Sequence, residues 1–220
     1  MTKLILGCSY TDRDQAIWHD TMFDEPYTVF AKGGVDNAWI TRTGLHVLPD
    51  YDSVFVMFTG LNRISVPLPQ DQHPANYYFS FPIGYDMGPY GDVNLVQSGG
   101  PLGAIDKLTG PVKDIFKTVY TSDCTKYFSQ LNMYHVIMFI EYLNSKQIPY
   151  KYTFIYDITK VYSEQSLGQC TDYLDRLDRT HYVPITPYEF AIENNGFSDD
   201  GFHLNHNCQS SWAEEVKKYL

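Results

Sequence analysis

A serine directly after a short apolar run, an asparagine past a second such run, and an aspartate three residues ahead of a histidine near the chain's end form a parts list for acyl transfer. The serine is Ser9 in Lys3-Leu4-Ile5-Leu6-Gly7-Cys8-Ser9-Tyr10-Thr11, and the asparagine is Asn62 in Thr59-Gly60-Leu61-Asn62-Arg63. The acid and the imidazole are Asp200 and His203 in Ser198-Asp199-Asp200-Gly201-Phe202-His203. A serine hydroxyl needs a base to become a nucleophile, an imidazole needs an acceptor to fix its tautomer, and a tetrahedral oxyanion needs aimed N–H donors. The Asn62 amide and the backbone of Gly34, which stands ahead of Asp36-Asn37, can supply such donors.

Other readings of the same residues are open at this level. Ser9 taken alone is what a turn or a helix N-cap uses after a strand. Asp199, Asp200, His203 and His206 have metal-ligand types, although a loop His-x-x-His without a third clear ligand is a weak metal signal. Cys8 is a thiol beside Ser9, but the alternation of side chains along a strand points it to the opposite face.

The elements that must hold these residues are readable from apolar patterning. Residues 3–6 form a short buried strand that stops at Gly7, and Tyr27-Thr28-Val29-Phe30-Ala31 is a second run of strand character. Asp36 or Asn37 caps a helix carrying Ile40, Thr43, Gly44, Val47 and Leu48 at helical spacing, with Gly44 weakening it by about 1 kcal/mol. Ser53 to Phe58 is almost continuously apolar and predicts a central strand covered on both faces. Tyr127 to Gln147 is the strongest helix, Tyr150 to Tyr156 a further strand, Thr171 to Arg179 a shorter helix, and Tyr182 to Ile185 an edge strand because of Pro184. Trp212, Val216, Tyr219 and Leu220 mark a closing amphipathic helix capped at Asn207 or a neighbour. Strands alternating with helices predict a three-layer α/β sandwich with a mainly parallel sheet, and ligands in such sheets bind past the carboxyl ends of the strands. Ser9 and Asn62 stand at two such ends.

Between residues 65 and 124 the texture changes, with seven of the 12 prolines, seven of the 15 glycines and no clear period. Tyr77, Tyr78, Phe79, Phe81, Tyr85 and Tyr90 argue for a packed wall or lid beside the site. The whole chain, 1–220, reads as one domain with this insertion.

Bulk composition excludes several classes of partner. A formal net charge of -10 with no basic run argues against nucleic acid. The N terminus lacks the length of a signal peptide and no run is long enough to span a membrane, which predicts synthesis in the cytoplasm and no membrane partner. Cys8, Cys124, Cys170 and Cys208 are scattered without C-x-x-C pairing, and no metal site is expected from them.

In four separated blocks the sequence resembles the SGNH (GDSL-like) hydrolases, whose members keep a Ser, a Gly, an Asn and a His in this order. Gly7-Cys8-Ser9-Tyr10-Thr11 looks like the first block, Gly34 like the second, Gly60-Leu61-Asn62 like the third, and Asp200-Gly201-Phe202-His203 like the Asp-x-x-His of the last. Gly33 fits the second block as well as Gly34 does. The opening resembles a divergent branch, Gly-Cys-Ser-(Phe/Tyr)-Thr, met often in bacteriophage proteins. Two residues depart from the family pattern: Cys8 stands where an Asp is usual, and Arg63 follows Asn62 where many members carry Asp.

The resemblance implies a flavodoxin-like SGNH fold and a serine esterase acting on an acyl ester of a small molecule or carbohydrate, with an acetylated sugar among the candidates. It implies Ser9 as nucleophile, His203 as general base and acid, Asp200 as its orienting acid, and an oxyanion hole of the Ser9 and Gly34 N–H groups with the Asn62 side chain. It implies no cofactor. The alternative is a non-catalytic scaffold of the same fold, used as a binding or phage virion structural module and associated with a virion or oligomeric partner, since fold does not fix function.

Overall fold

The computed structural model describes residues 2–12, 16–31, 35–61, 63–68, 94–98, 114, 122–161, 171–201 and 203–220. Four strands, β1 (Lys3–Gly7), β2 (Tyr27–Ala31), β3 (Ser53–Phe58) and the later β6 (Tyr150–Phe154), pair in parallel in the order β2-β1-β3-β6. A separate antiparallel pair joins β4 (Ile64–Leu68) to β5 (Asn94–Ser98). This pair lies inside the stretch expected to be irregular. Its alternation is short and interrupted by Pro67, so the pairing is set by the partner strand more than by local pattern.

Register fixes which side chains face which layer. Ile5 lies opposite Phe55, and Leu6 opposite Val56. In a strand these alternate between faces. On the face of Phe55, α1 (Trp18–Met22) and the closing helix α5 (His206–Lys217) pack on the sheet. The Trp18 ring sits 5.7 Å from Phe55 and 5.2 Å from Trp212. On the face of Leu6 lie α2 (Asn37–Val47) and α3 (Ser122–Ser145). A Cβ at Gly44 would stand 2.7 Å from Leu6 Cδ1 and 2.5 Å from Phe139 Cζ, so Gly44 marks where α2 closes on β1 and α3. The residue that weakens the helix locally is the one the packing requires. Two helical layers around one parallel sheet make the three-layer α/β sandwich.

Several boundaries shift from the sequence expectation. α3 begins at Ser122 and ends at Ser145, earlier at both ends than Tyr127 to Gln147, and Gln147 takes a left-handed φ of 55°. The helix expected over Thr171 to Arg179 is a single turn, Thr171–Leu174, followed by turns. Tyr182 to Ile185 makes no strand; it meets β6 through one parallel bridge, with Tyr152 N–H donating to His181 O and Val183 N–H to Tyr152 O. Pro184 has no N–H to continue that ladder. α1 lies within a segment read as loop, and α4 (Pro187–Asn194) has no counterpart in the sequence reading. No helix among the described residues is long and apolar enough to cross a membrane. The expected wall or lid residues Tyr77 to Tyr90 lie outside the described residues.

Candidate active site

Ser9 follows β1 on a tight turn in which Thr11 N–H and Asp12 N–H both donate to Cys8 O, at 2.8 and 3.0 Å. The turn folds Thr11 back over Gly7, whose added Cβ would lie 2.1 Å from Thr11 Oγ1. Gly7 is needed there because no side chain fits beneath Thr11, and its φ is not left-handed. Trp18 Nε1 donates to Tyr10 O at 2.7 Å, and a His19 ring nitrogen lies 2.8 Å from Thr11 O. α1, invisible in the sequence pattern, thus holds the segment that carries Ser9.

The second half of the site comes from the loop between α4 and α5. A bridge between Phe197 and Leu204 closes it, and Ser198 N–H donates to His203 O at 2.7 Å. Asp200 Oδ1 accepts from Ser198 Oγ at 2.7 Å and from His203 N–H at 2.9 Å, which leaves Oδ2 to face His203 Nδ1 at 2.5 Å. An ionised carboxylate only accepts, so Nδ1 carries the proton. The neutral ring then offers Nε2 as an acceptor, and Ser9 Oγ lies 2.9 Å from it. Ser9, His203 and Asp200 are brought together across 194 positions of sequence.

The surroundings differ along this chain of contacts. Ser9 is only 7% exposed, while the Asp200 side chain is 48% exposed, so Asp200 gives orientation more than buried-charge energy. Tyr10 places its ring 5.0 Å from that of His203. Burial, and secondarily the nearby Cys8, hold the Tyr10 phenol far above its ordinary value, so it stays neutral beside the imidazole.

Gly33, Gly34 and Asn62 lie outside the described residues, but the segments around them are tied down. Asn37 Nδ2 donates to Thr59 O at 3.1 Å, and Thr59 N–H donates to Asn37 Oδ1 at 2.8 Å. Asn132, on α3, accepts from Asn37 N–H at 3.1 Å and donates through Nδ2 to Leu61 O at 3.0 Å and Arg63 O at 2.5 Å. Arg63, the residue directly after Asn62, is 5% exposed and donates from Nη1 to Val35 O at 3.3 Å. It links the segment after β3 to the start of α2.

Cys8 is fully buried. Asp199 and His206 line a surface recess with Asp200 and His203, and among the described residues no group of three or more His, Cys, Asp or Glu side chains could hold a metal ion. Sequence reasoning missed Ser198 and Asn132, and named Asn37 only as a cap. A buried Asn among apolar neighbours in α3 was the available signal for Asn132.

Among solved structures, the esterase EstA from Pseudoalteromonas sp. superposes with a TM-score of 0.50 at 10% identity, covering 99% of this chain and 94% of that one. The chain has the fold of this esterase. The lipase Lip_vut3 from a goat rumen metagenome matches with a TM-score of 0.48 at 12% identity, covering 100% of this chain and 97% of that one. A protein from Parabacteroides merdae assigned as a GDSL-like lipase matches with a TM-score of 0.48 at 10% identity, covering 99% and 94%. No family model and no curated protein matches the sequence.

Proposed function

We propose that the protein is a serine ester hydrolase of the SGNH (GDSL-like) type. The observation that carries this reading is the unbroken hydrogen-bond chain from Ser9 Oγ through His203 to Asp200, at 2.9 and 2.5 Å. Its position past the carboxyl end of β1 supports the same reading. The shared fold with the esterase EstA agrees with it.

In the proposed reaction, Ser9 Oγ attacks the ester carbonyl while His203 Nε2 takes the hydroxyl proton. The C–O bond to the alcohol breaks as His203 returns that proton to the leaving oxygen, and an acyl-Ser9 intermediate remains. Water then attacks the acyl carbon, with His203 again acting as base, and Ser9 Oγ leaves protonated with release of the acid. Asp200 keeps Nδ1 protonated and stabilises the imidazolium in both halves without becoming protonated. We assign the oxyanion donors to the N–H groups of Ser9 and Gly34 and to Asn62 Nδ2.

Substrates in this reading are acyl esters of small molecules or carbohydrates, acetylated sugars among them, and the 65–124 insertion sets the choice between them. The test is a panel of aryl acetates and longer acyl esters, with O-acetylated sugars, assayed against wild type and Ser9→Ala. Hydrolysis that disappears with Ser9 is the expected result. No turnover of any ester by a folded sample would favour the non-catalytic binding or virion scaffold.

A further inference from the structure

We propose that Gln209 is a positioning residue that sets the distance between Ser9 and His203; this rests on the hydrolase reading above. Gln209 lies in the first turn of α5, where its N–H donates to Asn205 O at 2.9 Å, and it is 5% exposed. Two bonds of its side chain run in opposite senses. Ile17 N–H donates to Oε1 at 2.7 Å, and Nε2 donates to Leu204 O at 3.0 Å. A backbone N–H only donates and a backbone carbonyl only accepts, so these partners fix which way the amide points.

The two partners belong to the two halves of the site. Ile17 closes the segment that starts at Ser9, through Asp12 N–H to Cys8 O and Ala16 N–H to Asp12 O at 2.8 Å. Leu204 directly follows His203. One buried amide, 192 positions along the chain from Ile17, therefore joins the nucleophile segment to the imidazole loop. Gln209 also lines the narrow recess beneath Ser9 and His203, together with Trp18 and Trp212. An uncharged amide offers an acceptor and a donor side by side, and Asn would present the same pair one methylene short of this reach. Met keeps the length and loses both bonds; Glu keeps the bond from Ile17 and loses the donor to Leu204 until its carboxyl is protonated.

Proton transfer between Ser9 and His203 depends steeply on their separation, and a misplacement near 1 Å costs on the order of 10²-fold. The bonds of Gln209 to Ile17 and Leu204 are made to backbone groups and not to the reacting atoms, so its loss should fall on kcat and leave KM in place. For Gln209→Met we expect kcat, and the rate of Ser9 labelling by a fluorophosphonate, to drop roughly 10- to 100-fold with KM within about twofold. For Gln209→Glu we expect a loss that shrinks as pH falls, measured as the ratio to wild type at each pH, because the protonated carboxyl regains a donor. That recovery is not expected of a residue that merely fills space. It also provides a second readout if the Met variant folds poorly.

Labelling of Gln209→Met at the wild-type rate, or a loss confined to KM, would overturn the proposal. Absence of labelling in wild type would instead sink the hydrolase reading. In that event the downfield Nδ1 proton of His203 in NMR spectra decides the positioning role alone: its broadening or loss in Gln209→Met supports the role, and an unchanged resonance overturns it.

Discussion

Asp200 divides its two carboxylate oxygens between two tasks. Oδ1 holds the loop, through Ser198 Oγ and His203 N–H, and Oδ2 holds the His203 proton on Nδ1. Replacing Asp200 by Asn keeps the shape but can present an NH2 group to Nδ1, which would favour the wrong tautomer and leave Nε2 protonated. In the proposed reaction we expect Asp200→Asn to lower kcat by on the order of 10²- to 10⁴-fold with an unchanged unfolding midpoint. A loss below about threefold would remove Asp200 from the orienting role. The meeting of Ser9, Asp200 and His203 was legible in the sequence because each sits in a short block whose residue types suit the proposed chemistry. Ser198 and Gln209 were not, since what they do is defined by backbone groups that only the fold brings near them.

At the scale of elements, two polar side chains near the end of β3, Asn132 reaching in from α3 and Thr59 on the strand's own continuation, predict opposite outcomes. Asn132 satisfies Asn37 N–H together with Leu61 O and Arg63 O, and Asn132→Leu would leave those groups unpaired in a buried setting. We expect a loss of about 2 kcal/mol or more in urea unfolding, given ~1–3 kcal/mol for each buried group left unsatisfied. Thr59 is fully buried and its Oγ1 has no hydrogen-bond partner among the described residues, so Thr59→Val should leave stability unchanged or raise it by up to about 1 kcal/mol. Equal destabilisation by both substitutions would contradict this account of the loop.

Burial lowers the His135 imidazole below its ordinary value, an effect only partly offset by Asp36. The unfolded state then binds a proton more readily than the folded one, so stability falls as pH drops through the ordinary imidazole range toward the lowered folded value. His135→Gln should flatten that part of the curve of urea midpoint against pH. A slope identical to wild type would show that His135 is not its source. The helices and strands of the sandwich were legible because apolar periodicity reports burial directly. α1, α4 and the β4–β5 pair were not, because each is short and held by contacts from elsewhere in the chain.

For the whole molecule, the formal net charge of -10 sets the long-range field around a site past the carboxyl ends of the strands. Under the proposed ester chemistry, a polyanionic ester should show a KM that falls as salt is raised, because screening removes repulsion beyond about 10 Å at 0.1 M. A neutral acetylated sugar should show no such dependence. A polyanion whose KM rises with salt would mean that a local cationic subsite overrides the global field.

The central claim is that Ser9 is activated by His203, and covalent labelling tests it without knowledge of the substrate. A fluorophosphonate uses the same base and the same oxyanion donors as an ester, whereas an isolated serine hydroxyl is too weak a nucleophile to react. Intact-protein mass spectrometry with peptide mapping should find one adduct, on Ser9, absent from Ser9→Ala and from His203→Ala while both variants remain folded. A folded wild-type protein that takes up no label, or that takes it up equally well without His203, would contradict the account.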